Sequence, residues 1–246
     1  MRLLCVTAHP DDEAGGFGGS LLLYRSRGVE TYVLCLTEGQ AATHRGSAKS
    51  GAELAAVRRA EFAASCELLR VSHSEVLDYP DGGLAKLDFF TVVGDLTRRI
   101  RQIRPNVIMT FGTEGAVTAH PDHSMVSAFT SMAYQWAART NRYPEQLEKE
   151  GLQPHRTQKL YYASAGFTLE DRQPVALAPI STVVDIAPHF DTKIAAFKKH
   201  ASQSPLFEMF EGTVRRRGPH ESFHLAASTT PRKIEAETDL FAGVME

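Results

Sequence analysis

Short apolar runs alternate with longer stretches of helical periodicity along this 246-residue chain. Leu3 to Val6, Thr31 to Thr37, Glu75 to Pro80 and Asn106 to Phe111 read as strands. The second is β-rich and continuously apolar, the pattern of a parallel strand buried on both faces. Leu21 to Arg27, stopped by Gly28, reads as a helix. So does Ala52 to Leu69, where Leu54, Val57, Ala60, Ala64 and Leu68 recur near helical spacing. Phe89 to Ile103 is a basic amphipathic helix ended by Pro105. From Gln135 to Gln158 the pattern gives way to polar residues, with Tyr143-Pro144 and Gln153-Pro154, and reads as an insertion or rim on which His155 is exposed. Lys159 to Ala163 and Ser181 to Ile186 are further strands, and His189 to Ala201 a helix. Such alternation predicts an α/β fold, a three-layer, Rossmann-like domain with a mainly parallel sheet whose site opens at the C-terminal strand ends. No repeat, low-complexity tract or boundary interrupts it, so residues 1–246 read as one domain of ordinary length for this class.

Acids and imidazoles collect where two of those strands end. Ala8-His9-Pro10-Asp11-Asp12-Glu13 follows the first strand, and a buried strand end crowded with titratable groups serves packing badly. Metal binding explains it better than a structural acidic turn. His9 and Asp12 stand three residues apart, and the fixed φ of Pro10 stiffens the turn between them. The second cluster, His120-Pro121-Asp122-His123, follows Phe111 and the loop 112–119. Pro121 suits the first position of a helix, with His120 near the N-cap. His9, Asp12 and His123 form a two-histidine, one-carboxylate set suited to Zn2+, with other divalent ions such as Fe2+ accommodated too, and with coordination positions left open for water and substrate. Asp11, beside a ligand but not needed as one, is the best general base. His120 is the candidate acid and oxyanion donor, with Asp122 holding its tautomer and favouring its charged form. Glu13 is left for support or capping.

The glycine-rich stretch Gly15-Gly16-Phe17-Gly18-Gly19-Ser20 reads as a turn that lets backbone pass close to the metal. It is no dinucleotide fingerprint, because Leu21 stands where GxGxxG needs its last glycine.

As a pair, AHPDDE at 8–13 and HPDH at 120–123 resemble the LmbE-like, or PIG-L, family of zinc-dependent N-deacetylases, which act on N-acetylglucosaminyl substrates. The resemblance is dense over 3–123 and thinner over 124–228, where His200-Ala201-Ser202-Gln203 and Glu221-Ser222-Phe223 carry it. It implies that Arg58 reaches the site with Glu61 bracing it, and that Asp81, in a Pro-Asp-Gly segment, binds a substrate hydroxyl. It places Gln40 where the family usually has Glu, leaving an amide to hydrogen-bond a sugar. Some members carry a tyrosine just before HPDH. Here Val117, Thr118 and Ala119 stand there, so His120 or a residue distant in sequence takes that part. The polar loop 41–51 is a candidate lid, with His44 and Arg45 read as solvated. Arg215 to Arg217 read as a solvated turn.

Composition narrows the classes further. Hydrophobic residues make up 43%, charged residues 23%, and the net charge of −2 leaves no electrostatic footprint for nucleic acid. The N-terminal apolar run, about six residues, is too short for a signal core or a membrane span, which predicts a cytoplasmic protein. Cys5, Cys35 and Cys66 lie in apolar patterns and read as buried thiols. The chain therefore reads as a metal-dependent hydrolase that takes the N-acetyl group from an N-acetylglucosamine-type sugar or glycoconjugate, with a homo-oligomer left open. Two alternatives remain: a zinc amidase acting on a thiol or sugar conjugate, and a non-catalytic Rossmann-like ligand-binding protein with a structural metal. Serine hydrolase chemistry is weaker, since no GxSxG elbow occurs.

Overall fold

The computed structural model describes residues 1–165, 167, 176–230, 233 and 235–245. Its frame is a seven-stranded sheet: β1 (Arg2–Thr7), β2 (Glu30–Thr37), β3 (His73–Tyr79), β4 (Val107–Phe111), β5 (Lys159–Ser164), β6 (Thr182–Asp185) and β7 (His220–Ser228). The order is β3-β2-β1-β4-β5-β7-β6. The first five run parallel, β7 is antiparallel to β5, and β6 is antiparallel to β7. Leu3, Leu4, Cys5, Val107, Ile108 and Met109 are all at most 1% exposed, because helices cover both faces.

One helical layer holds α1 (Asp12–Ser26), α2 (Gly51–Leu68) and α6 (Phe190–Phe197). The other holds α3 (Phe89–Ile103) and α4 (Pro121–Ala137). The short α5 (Pro144–Glu148) and α7 (Phe207–Arg217) complete the helices described. Chain order reverses between β1 and β4, since β1 leads outward to β2 and β3 while β4 returns to its other side. Ligands of open α/β sheets bind in the crevice beyond such a switch point. His9 follows β1, and His120 to His123 follow β4.

Several expectations need correcting. The glycine stretch 15–19 is the first half of α1, not a turn. Gly18 and Gly19 serve close packing: a Cβ at Gly19 would lie 2.3 Å from Ile186, and one at Gly18 would lie 3.2 Å from Leu69. The stretch 135–158 is buttressed from inside. The Arg101 side chain, 2% exposed, donates to the carbonyls of Ala137, Arg139 and Arg142 and to Gln146 Oε1. His155 is half-buried, with its ring Nε2 2.7 Å from the Pro105 carbonyl. Arg215 to Arg217 end α7, and Arg215 pairs with Glu211 and Asp191. The three cysteines are buried and free, as composition suggested.

Candidate metal centre and catalytic cleft

The cleft gathers the two motifs. His9, Asp11 and Asp12 leave β1, and His120 and His123 open α4, whose N-cap is His120 with Pro121 in the first turn. Asp12 lies between the imidazoles: its Oδ2 is 3.5 Å from His9 Nδ1 and its Oδ1 is 3.2 Å from His123 Nε2. Oδ2 also accepts from the backbone N–H of His9 (2.8 Å) and Ala8 (3.2 Å), which fixes the carboxylate before any ion arrives. The His123 ring stacks on Phe111 at 4.0 Å and 5°, and its Nδ1 lies 3.4 Å from Thr118 Oγ1.

His9 turns its other nitrogen away from Asp12. Nε2 lies 3.1 Å from Asp81 Oδ1 and 3.3 Å from Asp122 Oδ2. Those carboxylates are themselves held, Asp81 by the Ala41 N–H (2.7 Å) and Asp122 by the N–H groups of Gly82 (2.7 Å) and Leu84 (3.3 Å). This is a carboxylate–imidazole relay of the kind that orients a metal-binding histidine. Burial works against a charged His9 ring, yet hydrogen bonds to Asp12, Asp122 and Asp81 raise its pKa well above the ordinary value. Burial also opposes ionisation of Asp12, but the charge and hydrogen bond of His123, with His9 beside it, hold its carboxyl well below the usual range.

Two groups of ligand-capable atoms lie within 4.8 Å of one another, His9/His120/His123 and His9/Asp81/Asp122. In the second, each carboxylate oxygen near His9 Nε2 belongs to a carboxylate that already accepts backbone N–H bonds, so the group orients the ring. His9, Asp12 and His123 are of the donor types a divalent ion of the zinc class takes, two imidazoles and a carboxylate, with the His9 and His123 nitrogens standing on either side of the Asp12 carboxylate.

Asp11 adopts φ 122°, a region costly for a non-glycine residue. Two contacts hold it. Its N–H donates to Glu13 Oε2 (2.9 Å), and its Oδ2 accepts from Arg58 Nη2 (2.9 Å). Burial pushes the Asp11 carboxyl up to about 6, against the opposing pull of Arg58. Arg58 also donates to the carbonyls of Pro10 and Gly39. Gly39, at φ +67°, is required there, because a Cβ would sit 2.1 Å from Arg58 Nη1.

Arg58 was expected to reach the site, and it lines the cleft; its guanidinium, 3% exposed, donates from Nη1 and Nη2 to Asp11 and two carbonyls, while its buried Nε has no hydrogen-bond partner among the described residues. Glu61 does not brace it, accepting instead from the N–H (2.6 Å) and Oγ (2.7 Å) of Ser202. Asp81 lines the cleft, but both its oxygens are engaged, by His9 and Ala41. Gln40 does not line it, and its Oε1 is buried without a partner. Asp122 serves His9 with its carboxylate and meets His120 only through its backbone N–H, which donates to His120 Nδ1 (3.1 Å). The expected stabilisation of a charged His120 by Asp122 is present but outweighed. Burial, with the nearby His9 and His123, lowers its pKa to about 4, and a neutral ring accepting at Nδ1 carries its proton on Nε2. Among the described residues no tyrosine lines the cleft.

Sequence reasoning missed two buried pairs. Glu13, fully buried, accepts from Ser65 Oγ (2.6 Å) and lies 2.7 Å from His200 Nε2. Glu221 accepts from Lys193 and from the N–H groups of Gly19 and Ser20. The late elements 200–203 and 221–223 signalled that these residues mattered, but only folding shows what they touch.

Several known proteins resemble the chain over nearly its full length. Mycothiol S-conjugate amidase of Streptomyces coelicolor is 29% identical, covering 100% of this chain and 98% of that protein. The 1D-myo-inositol 2-acetamido-2-deoxy-α-D-glucopyranoside deacetylase of Rhodococcus erythropolis is 30% identical over 99% of this chain and 97% of its own. Among solved structures, N,N'-diacetylchitobiose deacetylase from Pyrococcus horikoshii superposes with a TM-score of 0.77 at 26% identity, over 91% of this chain and 83% of that one. Residues 4–134 match the family described as PIG-L, GlcNAc-PI de-N-acetylase, and this stretch contains both clusters of the cleft. With more than half its length inside that match, the chain belongs to the PIG-L family.

Proposed function

We propose that the protein is a zinc-dependent deacetylase that removes the acetyl group from an N-acetylglucosamine-type sugar or glycoconjugate, with His9, Asp12 and His123 holding the ion. The observation that carries this is the Asp12 carboxylate set between His9 Nδ1 and His123 Nε2, with Asp11 adjacent and held apart by Arg58. When bound, zinc supplies Lewis acidity at the acyl carbonyl and acidifies a water toward neutral pH.

The rest of the work falls to the chain. Asp11, in its strained conformation, aims a carboxylate into the cleft, takes the proton of the attacking water, and returns it to the amine nitrogen as the C–N bond breaks. His120 presents Nε2–H to the oxygen that gains charge as the carbonyl becomes tetrahedral; its Nδ1 is committed to the Asp122 N–H, so only this face is free. Asp81 and Asp122 keep the His9 ring from turning. Thr43 and His44 of the loop after β2 line the same cleft and are among the polar groups placed to meet sugar hydroxyls. A cytoplasmic setting belongs to the same proposal; among the described residues no helix is long and apolar enough to cross a membrane.

The test is acetate release from a panel of N-acetylglucosaminides, with metal content measured on the same protein. About one divalent ion per chain is expected, and His123→Ala should lose both ion and activity. Full metal retention in that variant would remove His123 from the ligand set, and no acetate from any sugar would remove the proposed reaction.

A further inference from the structure

An acetamido group on one sugar does not use the whole cleft. The cavity encloses about 580 Å³, within the range that holds a drug-sized ligand. Near Asp11, Asp81 and the loop 41–44 its walls are polar. On another side Phe190, Phe197, Leu206, Met209 and Phe210 supply an apolar trough, with Lys193, Thr213 and Glu221 also lining the cleft. Phe197 and Phe210 stack at 3.8 Å and 19°, which makes its floor rigid. Met209 is 52% exposed. Contiguous apolar surface opening from an active site is the mark of an apolar ligand group.

We infer that this trough takes the acyl side of the scissile amide, and that the preferred acyl group is an apolar chain longer than acetyl. This rests on the deacetylase reading above and narrows its substrate class. Where the trough begins decides between the two ends of the substrate. Gly15 and Gly16 stand one turn of α1 beyond Asp12 and line the cleft; a Cβ at Gly15 would lie 3.5 Å from the Phe197 ring, and one at Gly16 would meet nothing within 4 Å. The apolar wall thus starts beside the place where the carbonyl carbon must react. An acyl chain leaves that carbon directly, whereas an aglycone is separated from it by the amide nitrogen and two ring carbons. Lys193, which lines the same wall, is neutralised by Glu221 and places no free charge against a hydrocarbon chain. Arg217 stands among the lining residues with its guanidinium 3.9 Å from the Phe167 ring centre.

The experiment compares glucosamine carrying acetyl, butanoyl, hexanoyl and octanoyl groups, with free amine as the readout for the zinc-loaded protein. Each methylene buried in the trough should raise kcat/KM by about two- to fourfold, less what ordering the chain costs, so octanoyl should exceed acetyl by at least about tenfold. Met209→Asp and Phe210→Asp should each lower the octanoyl-to-acetyl ratio several-fold. Met209 is half in solvent, so its variant tests the trough even if the Phe210 variant misfolds. A second series keeps acetyl and lengthens an O-alkyl aglycone, and should be flat. Titration calorimetry with octanoate and butanoate supplies a readout without turnover: octanoate should bind more tightly, and less so in Met209→Asp. If octanoate binds in this pattern while no sugar is deacylated, the deacetylase reading fails and the trough stands. A flat N-acyl series with no octanoate binding, or a gain that follows aglycone length, overturns the inference while leaving deacetylation intact.

Discussion

Replacing Arg58 by Met separates two roles that one guanidinium can play. Met keeps much of the apolar stem volume and removes the charge and its donors. In the folded protein Arg58 lies 2.9 Å from Asp11 Oδ2, and both side chains are largely out of water, at 3% and 17% exposure. An opposite charge at such range lowers a carboxyl pKa by roughly 1–3 units, and Arg58 is the main force opposing the burial that already places Asp11 at about 6. The sign follows: the base works when deprotonated, and loss of the cation favours the proton. The acid limb of kcat/KM against pH should therefore move up by about 1–3 units. At pH 7 the deprotonated fraction would fall from about nine-tenths to somewhere between about one-half and one-hundredth over that range of shifts. A bound dication shifts both curves down together, so the displacement between wild type and variant is the measured quantity. Metal content should stay near wild type. If the acid limb does not move while KM rises, Arg58 contacts substrate and the positioning argument fails.

Asp11→Asn should keep the ion and lose ~10²–10⁴ in rate, whereas Asp12→Asn should lose metal affinity and recover part of its activity in excess zinc; rescue of Asp11→Asn instead would exchange their roles. Gly19→Val forces side-chain atoms into Ile186, where even a Cβ would lie 2.3 Å away. Overpacking of this kind costs about 1–3 kcal/mol, and a melting temperature equal to wild type would show that α1 moves freely off the β6 end. His200→Gln breaks a buried pair, which costs about 3–5 kcal/mol when one charge is left behind. Burial opposes both charges, but Glu13 raises the His200 pKa and His200 lowers that of Glu13. The histidine's contribution is complete below its ordinary value of 6.5 and is lost as pH rises through the raised one. The glutamate's is complete above 4.5 and is lost as pH falls through the depressed one. Denaturant titrations from acid to alkaline pH should show that window in wild type and not in His200→Gln, and parallel profiles would remove the pair from the stability account.

The parallel strands, the α3 boundaries and the N-cap at His120 were legible because each rests on a local rule: apolar continuity, amphipathic period, and proline at the first helical position. The two ligand clusters were legible because buried strand ends rarely carry so many titratable groups. What failed was partner choice. Which group Asp122 and Arg58 each touch depends on separations of 113 residues for Asp122 to His9 and 47 for Arg58 to Asp11, over which periodicity is silent. The glycines misled for a related reason. Glycine marks a turn or a close approach alike, and only the position of Ile186 reveals that Gly19 serves the second.

The charge balance of the cleft explains why so many of its groups are pinned to one another. Asp11, Asp12, Glu13, Asp81 and Asp122 crowd around one strand end, and Arg58 is the permanent cation bonded to them. Without an ion, the imidazoles must supply the missing positive charge, which is why the His9 pKa rises despite burial. A dication held at Nδ1, as proposed, would require that nitrogen free of its proton, so metal uptake would release a proton. The Asp81–Asp122 relay at Nε2 then decides which proton leaves: Nε2–H stays, held by two carboxylates, and Nδ1 is surrendered. His120 differs because burial and the nearby His9 and His123 outweigh the pull of Asp122 and Asp12, which leaves its ring neutral. One set of acids would thus prepare His9 to serve as a ligand, while burial beside two other imidazoles keeps His120 neutral.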